Sequence, residues 1–169
     1  MYIPIIAMLF SLIFRGVAFE FRANAKGGRK AIWTVAFSAG SIGAAICQGL
    51  ILGGLIEGIQ VRDGQFAGGR FDWFSWFGLI SAAGIVAGYA MLGACWVILK
   101  TDDKLQARAF VWARVSLLAT LVLMGAISIA TPIFVDAIAE RWFGGVNLVY
   151  LSPVPVVTLI VAALLWQFL

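Results

Sequence analysis

Of the 169 residues in this chain, 63% are hydrophobic and 12% are charged, with a net charge of +4 and a mean hydropathy of +1.02. A soluble domain carries about a quarter charged residues, so folding in water would leave this chain coated in apolar surface, and lipid is the solvent that fits. The apolar runs are continuous rather than alternating, which selects membrane helices over a barrel. The sequence holds no histidine, which removes the commonest haem and metal ligand.

The first apolar run covers residues 2–21 and carries Arg15 and Glu20. It has no basic leader and passes straight into charged sequence, so no cleavable signal peptide is evident. An ionisable group at bilayer depth costs about 2.5–3.5 kcal/mol on insertion scales unless it is paired, hydrated or able to snorkel. Both residues are therefore candidate functional groups. Five positions place them about 140° apart on a helix, which makes them poor partners for each other. Arg22, seven positions after Arg15, returns to nearly the same face as Arg15. Glu20 sits near the helix end, where headgroups and water can solvate it. Arg15 lies deeper, and either snorkels or meets a buried partner.

Residues 22–30 hold Arg22, Lys26, Arg29 and Lys30 with no acid. Retention in the cytoplasm by the positive-inside rule explains this cluster better than nucleic-acid binding. The second run, residues 31–58, places Gly49 and Gly53, then Gly54 and Gly58, four apart. Small residues at that spacing allow close helix approach in lipid. Glu57 ends the run as a headgroup-level acid. Cys47, like Cys95 in the next run, is read as a small packing residue rather than half of a disulfide or metal pair.

Residues 60–72 balance Arg62 and Arg70 against Asp63 and Asp72. Phe71, Trp73, Phe74, Trp76 and Phe77 follow as an interfacial aromatic belt, and a short helix lying flat at the surface also suits them. The third run, residues 73–99, repeats the four-residue glycine spacing at Gly84 and Gly88. Residues 100–108 then carry Lys100, Lys104 and Arg108 against Asp102 and Asp103, with Arg114 shortly after. The fourth run, residues 107–135, starts close enough to that surface for Arg114 to snorkel.

Asp136, Glu140 and Arg141 lie in residues 136–152, with Trp142, Phe143 and Tyr150. The fifth run, residues 153–169, ends in apolar sequence with no charged flank. Both ends look cut, so the chain reads as an interior piece of a longer protein. Basic excess alternates between the connections, which puts residues 22–30 and 100–108 in the cytoplasm and the others outside. The residues alone predict an all-α, polytopic transmembrane helix bundle of about five spans, forming a single transmembrane domain over residues 1–169. Neither a catalytic residue set nor a metal cluster is assembled.

Residues 12–22, Leu-Ile-Phe-Arg-Gly-Val-Ala-Phe-Glu-Phe-Arg, resemble the third transmembrane helix of subunit II of cytochrome bd-type quinol oxidases. A second stretch at residues 88–101, Gly-Tyr-Ala-Met-Leu-Gly-Ala-Cys-Trp-Val-Ile-Leu-Lys-Thr, with Leu105-Gln106 and Arg108-Ala109 after it, agrees in order and separation. The resemblance spans nearly the whole chain, and the cyanide-insensitive type fits equally. It implies a bacterial cytoplasmic membrane protein of an aerobic respiratory chain. It further implies a partner, the haem-bearing subunit I, which carries haems b and d and oxidises quinol, the substrate of the complex. Dioxygen is reduced there with protons drawn from the cytoplasm. Subunit II ligates no haem and supports assembly and proton access, so this chain alone is not expected to be catalytic. Some members hold a structural quinone in subunit II. The matched arginine and acid, here Arg15 and Glu20, are implied to lie in a polar region on the proton-delivery side.

The chain departs from the family pattern in three places. Two preceding helices with an Asp- and Trp-containing motif are missing, as are the last helices. Trp73-Phe74-Ser75-Trp76-Phe77 stands where Asn-Pro-Phe is usual, before the matching helix. A transporter or membrane scaffold without redox coupling is the alternative. Transporters place polar sites at midplane on broken helices, whereas Pro132, Pro153 and Pro155 fall near helix ends.

Overall fold

The computed structural model describes residues 2–58, 61–62, 65–66, 68–69, 71–144 and 147–169. Gln60, Asp63 and Arg70 lie outside the described residues, as do the side chains of Arg62 and Asp136. The chain is all-α. Its helices are α1 (Tyr2–Asn24), α2 (Arg29–Ile56), α3 (Trp76–Lys100), α4 (Asp103–Phe134), α5 (Asp136–Phe143), α6 (Asn147–Leu151) and α7 (Pro153–Phe168). A two-residue antiparallel ladder joins β1 (Val61–Arg62) to β2 (Gln65–Phe66), with Val61 opposite Phe66. The first four helices are long and apolar enough to cross a membrane; α7 is apolar but shorter, at 16 residues. The chain divides into two compact units, Met1–Val86 and Ala87–Leu169.

In the first unit, α1 and α2 form an antiparallel hairpin. Gly27 makes the turn at φ +60°, a left-handed conformation that costs an L side chain and that glycine adopts freely. From the turn outward the contacts step in opposite directions along the two helices. Phe21 stacks on Trp33, Phe19 meets Phe37, Arg15 lies against Gly40 and Ser11 against Gly43. The opposite side of α2 meets α3, where Gly49 faces Ala82 and Gly53 faces Gly78. A Cβ on Gly53 would lie 2.5 Å from the Gly78 Cα, and one on Gly49 would fall inside the radius of the Ala82 backbone. Backbone-to-backbone approach of this kind is how helices gain dispersion contact when lipid removes the hydrophobic drive between them. Gly40 and Gly43, three apart rather than four, give a similar clearance on the α1 side.

Burial follows the same logic. The buried residues are mostly alanine and glycine, while bulky Val, Leu, Ile and Phe side chains point outward. That inversion suits a solvent of acyl chains. Phe77, fully buried at the start of α3, and the buried Leu50 and Leu117 are bulky exceptions. The aromatic segment before α3 does not form a flat surface helix. Phe71 to Trp73 is a turn, and α3 starts at Trp76 rather than Trp73. Ser75 causes that start, because its Oγ accepts the Gly78 amide at 2.9 Å and caps the helix.

In the second unit, α3 and α4 are joined through only Thr101 and Asp102. Asp103 opens α4 at φ +57°, a left-handed position that aspartate tolerates better than most residues. The Gln106 amide donates to the Ile98 carbonyl at 3.1 Å and satisfies an acceptor at the end of α3. Buried Ala109, Ala113, Ser116, Leu117 and Thr131 lie along one side of α4. Pro132 falls in its last turn, where it brings no N–H for the Ser128 carbonyl, and the helix stops two residues on at Phe134.

Candidate functional site

Arg15 is exposed on α1, with its backbone pressed onto α2. A Cβ on Gly40 would lie 2.9 Å from the Ser11 carbonyl oxygen, 3.1 Å from the Arg15 amide nitrogen and 3.2 Å from the Arg15 Cβ. The stem of the arginine is therefore fixed by a glycine on the neighbouring helix. Its guanidinium carbon lies 5.8 Å from the centre of the Phe37 ring, and Phe19 touches that ring from α1 at 6.3 Å. A cation–π contact contributes about 0.5–1 kcal/mol at an exposed site and somewhat more away from water. It offers no acceptor for the five N–H donors of a guanidinium. Among the described residues, Arg15 has no ion pair. Its acceptors have to come from water, lipid phosphate or a carboxylate elsewhere.

Glu20 is exposed on the same helix and likewise has no ion pair among the described residues. The structure does not bring Arg15 and Glu20 together, as their angular separation on α1 dictates. Arg15 lies nine residues before the end of α1, about 13 Å along the axis, while Glu20 lies about a turn from it. Arg114 on α4 has its guanidinium carbon 5.9 Å from the centre of the Trp166 ring on α7. Lys100 lies 5.5 Å from the Trp96 ring centre.

Glu57 is not simply a headgroup-level acid. Its Oε2 accepts the Ser75 hydroxyl at 2.5 Å, and Ser75 in turn accepts the Gly78 amide. The carboxylate thus orients the cap of α3 from the end of α2. Sequence reading missed this link, although the signal was present as a serine three residues before Gly78 at the start of an apolar run. One turn deeper, Ser81 is 3% exposed and its Oγ has no hydrogen-bond partner. It faces α2 across the Gly53 clearance, 3.3 Å from where a Cβ there would sit.

Among the described residues the usual donors are not gathered into a haem or metal site. There is no histidine in the sequence. Cys47 and Cys95 are free thiols on α2 and α3, and no group of three or more His, Cys, Asp or Glu residues is gathered among the described residues. What the arrangement can do is seat one arginine beside an aromatic ring at an apolar face, with no ion pair for its guanidinium among the described residues.

The cytochrome bd-I ubiquinol oxidase subunit 2 of Escherichia coli (strain K12) is 28% identical over 127 residues, covering 72% of this chain and 34% of that protein. A Haemophilus influenzae protein described as a probable cytochrome oxidase subunit 2 is 24% identical over 127 residues, with the same coverage of 72% and 34%. The chain thus spans about a third of the length of the curated relatives it matches. Residues 1–168 match the family described as cytochrome bd terminal oxidase subunit II. With that match running along nearly the entire sequence, the chain belongs to the cytochrome bd terminal oxidase subunit II family.

Proposed function

We propose that this chain forms part of the non-haem subunit of a bd-type quinol:dioxygen oxidoreductase in a bacterial cytoplasmic membrane. Its partner is a haem-bearing subunit I, and its work is to support assembly and to admit protons toward the site of dioxygen reduction. The haems b and d of subunit I supply the electron transfer and oxygen chemistry. The observation that carries the residue-level reading is Arg15, a guanidinium fixed by Gly40 and Phe37 with no carboxylate among the described residues. In this reading Arg15 holds a carboxylate or a water chain contributed from outside the hairpin. Glu20, nearer the end of α1, takes protons from the cytoplasmic surface. The basic residues Arg22, Lys26, Arg29 and Lys30 keep that end of the hairpin on the cytoplasmic side.

Arg15→Leu in the complete oxidase complex tests the reading. The expected result is several-fold slower oxygen consumption or failed haem incorporation, with partial recovery in Arg15→Lys. Normal oxygen consumption together with normal haem spectra in Arg15→Leu overturns the role given to Arg15.

A further inference from the structure

We propose that the outward side of α4 at its Lys104–Arg108 end binds one anionic phospholipid. Arg108 holds the phosphate, while Val111 and Trp112 line the path of the glycerol and upper acyl chain. The proposal rests on the membrane reading of α4 and not on oxidase activity.

Three observations converge on it. The first is height. α4 has 32 residues, about 48 Å of helix, of which a hydrocarbon core of ~30 Å takes about twenty. Residues 115–134 contain no charge and fill that core. Residues 103–114 are thereby left at headgroup level, with Trp112 at the boundary where tryptophan is favoured.

The second is shape and face. Buried Ala109, Ala113, Ser116 and Leu117 mark one side of α4. Lys104, Arg108, Val111, Val115, Leu118 and Val122 run down the other, all exposed, at steps of about 100° per residue. A groove of about 450 Å³ opens there, lined by Ala107, Arg108, Val111 and Trp112. Phosphate, ester and acyl chain succeed one another in a lipid leaflet in the order that cation, tryptophan and aliphatics follow on this stripe. A helix–helix face in lipid is built from small residues, as the Gly49 and Gly53 side of α2 is. The α4 stripe has none of that character below Ala107.

The third is charge. Lys100 is engaged with Trp96 and Arg114 with Trp166. Among the described residues Arg108 has neither a ring nor an ion pair. Asp103, on the same helix, lies about 140° around the axis from Arg108. The groove therefore presents one uncommitted guanidinium, reinforced by Lys104 one turn above, to a ligand that brings negative charge at headgroup height.

The test uses the full-length subunit in its complex, reconstituted into phosphatidylcholine nanodiscs with or without phosphatidylglycerol. A photoreactive phenylalanine analogue replaces Val111, and adducts are read by mass spectrometry. Phosphatidylglycerol adducts are expected to exceed phosphatidylcholine adducts at equal mole fraction. They should fall roughly fivefold in Arg108→Ala, the order expected for one juxtamembrane cation, and recover in Arg108→Lys. Arg114→Ala, which removes the same charge from a different side of α4, should leave them unchanged. Equal labelling by both lipids, an unchanged yield in Arg108→Ala, or an equal loss in Arg114→Ala overturns the proposal. So does an adduct to a polypeptide, which would make the stripe a subunit contact. Arg108→Gln gives the same reading should Arg108→Ala fail to assemble.

Discussion

On the side of α2 that meets α1, glycine clearance ends beside an arginine; on the side that meets α3, it ends beside a carboxylate. Both contacts use the same packing device, with Gly40 and Gly43 on one side and Gly49 and Gly53 on the other. They treat charge differently. Glu57 has its carboxylate met by the Ser75 hydroxyl inside the unit. Arg15 has an aromatic face and no carboxylate among the described residues. An ionisable residue in a membrane helix is a functional hypothesis by default. The contrast refines that default, because an acid satisfied by its own fold is holding helices together. A cation left unsatisfied by its own fold is waiting for something else.

The largest effect expected from breaking this comparison comes from filling the closest approach. Gly49→Ala puts a Cβ inside the Ala82 backbone and forces the α2–α3 contact apart. Overpacking of this kind costs about 1–3 kcal/mol, and a backbone neighbour that cannot move aside places it at the upper end. Gly40→Ala meets the Ser11 carbonyl at 2.9 Å and should cost about 1 kcal/mol less, while shifting Arg15. Gly88→Ala meets nothing within 4 Å, so it should be neutral or stabilise by up to about 1 kcal/mol through helix propensity. Thermal denaturation of the full-length protein in detergent should rank the three in that order. Equal losses at Gly49 and Gly88 would show that the α2–α3 approach is not the origin of the effect.

A smaller effect is expected from the clasp at the end of α2. Ser75→Ala removes the cap on α3 and the donor to Glu57, which should lower stability by about 1–2 kcal/mol. Glu57→Gln keeps an acceptor and should cost less. A double-mutant cycle between Ser75→Ala and Glu57→Ala should be non-additive, because each of those substitutions removes the same bond. Arg15→Leu should behave in the opposite way, with little loss of stability and a large loss of function. Full additivity at Glu57 and Ser75 would return Glu57 to the status of a solvated surface acid.

Much of this was legible in the sequence, for identifiable reasons. Continuous apolar runs dictate helices in lipid, and Arg15 and Glu20 stand out because they violate those runs. The spacing of Gly49 and Gly53 declares a close contact. The partner across that contact is not declared, because small residues on facing helices leave no local trace of one another. Gly40 carried no such spacing signal, and its role emerges only where the Ser11 and Arg15 backbone approaches it. The Ser75 partner of Glu57 is not declared for a similar reason. Headgroup height explains an acid at a helix end without any partner, and Ser75 lies 18 residues away in sequence.

The smallest effect concerns Ser81 and tests the comparison where it is weakest. Several hydroxyls in the long helices return to the carbonyl four residues back, as in Ser11 to Ala7, Ser41 to Phe37, Ser116 to Trp112 and Thr131 to Ile127, at 2.7–2.9 Å. Ser81 does not, and its Oγ is buried without a partner. An unsatisfied hydroxyl carries its desolvation cost with no return, so removing it should be neutral or stabilising by up to about 1 kcal/mol. Ser81→Ala should therefore leave the thermal midpoint of the full-length protein unchanged or slightly raised. Ser81→Val, which adds bulk toward the Gly53 clearance, should lower it. A clear loss in Ser81→Ala would mean that the hydroxyl is bonded in the membrane after all, to water or to a group from outside the hairpin. The α3 side of α2 would then carry an outward-looking polar site of its own, and the contrast drawn between the two sides of α2 would fail.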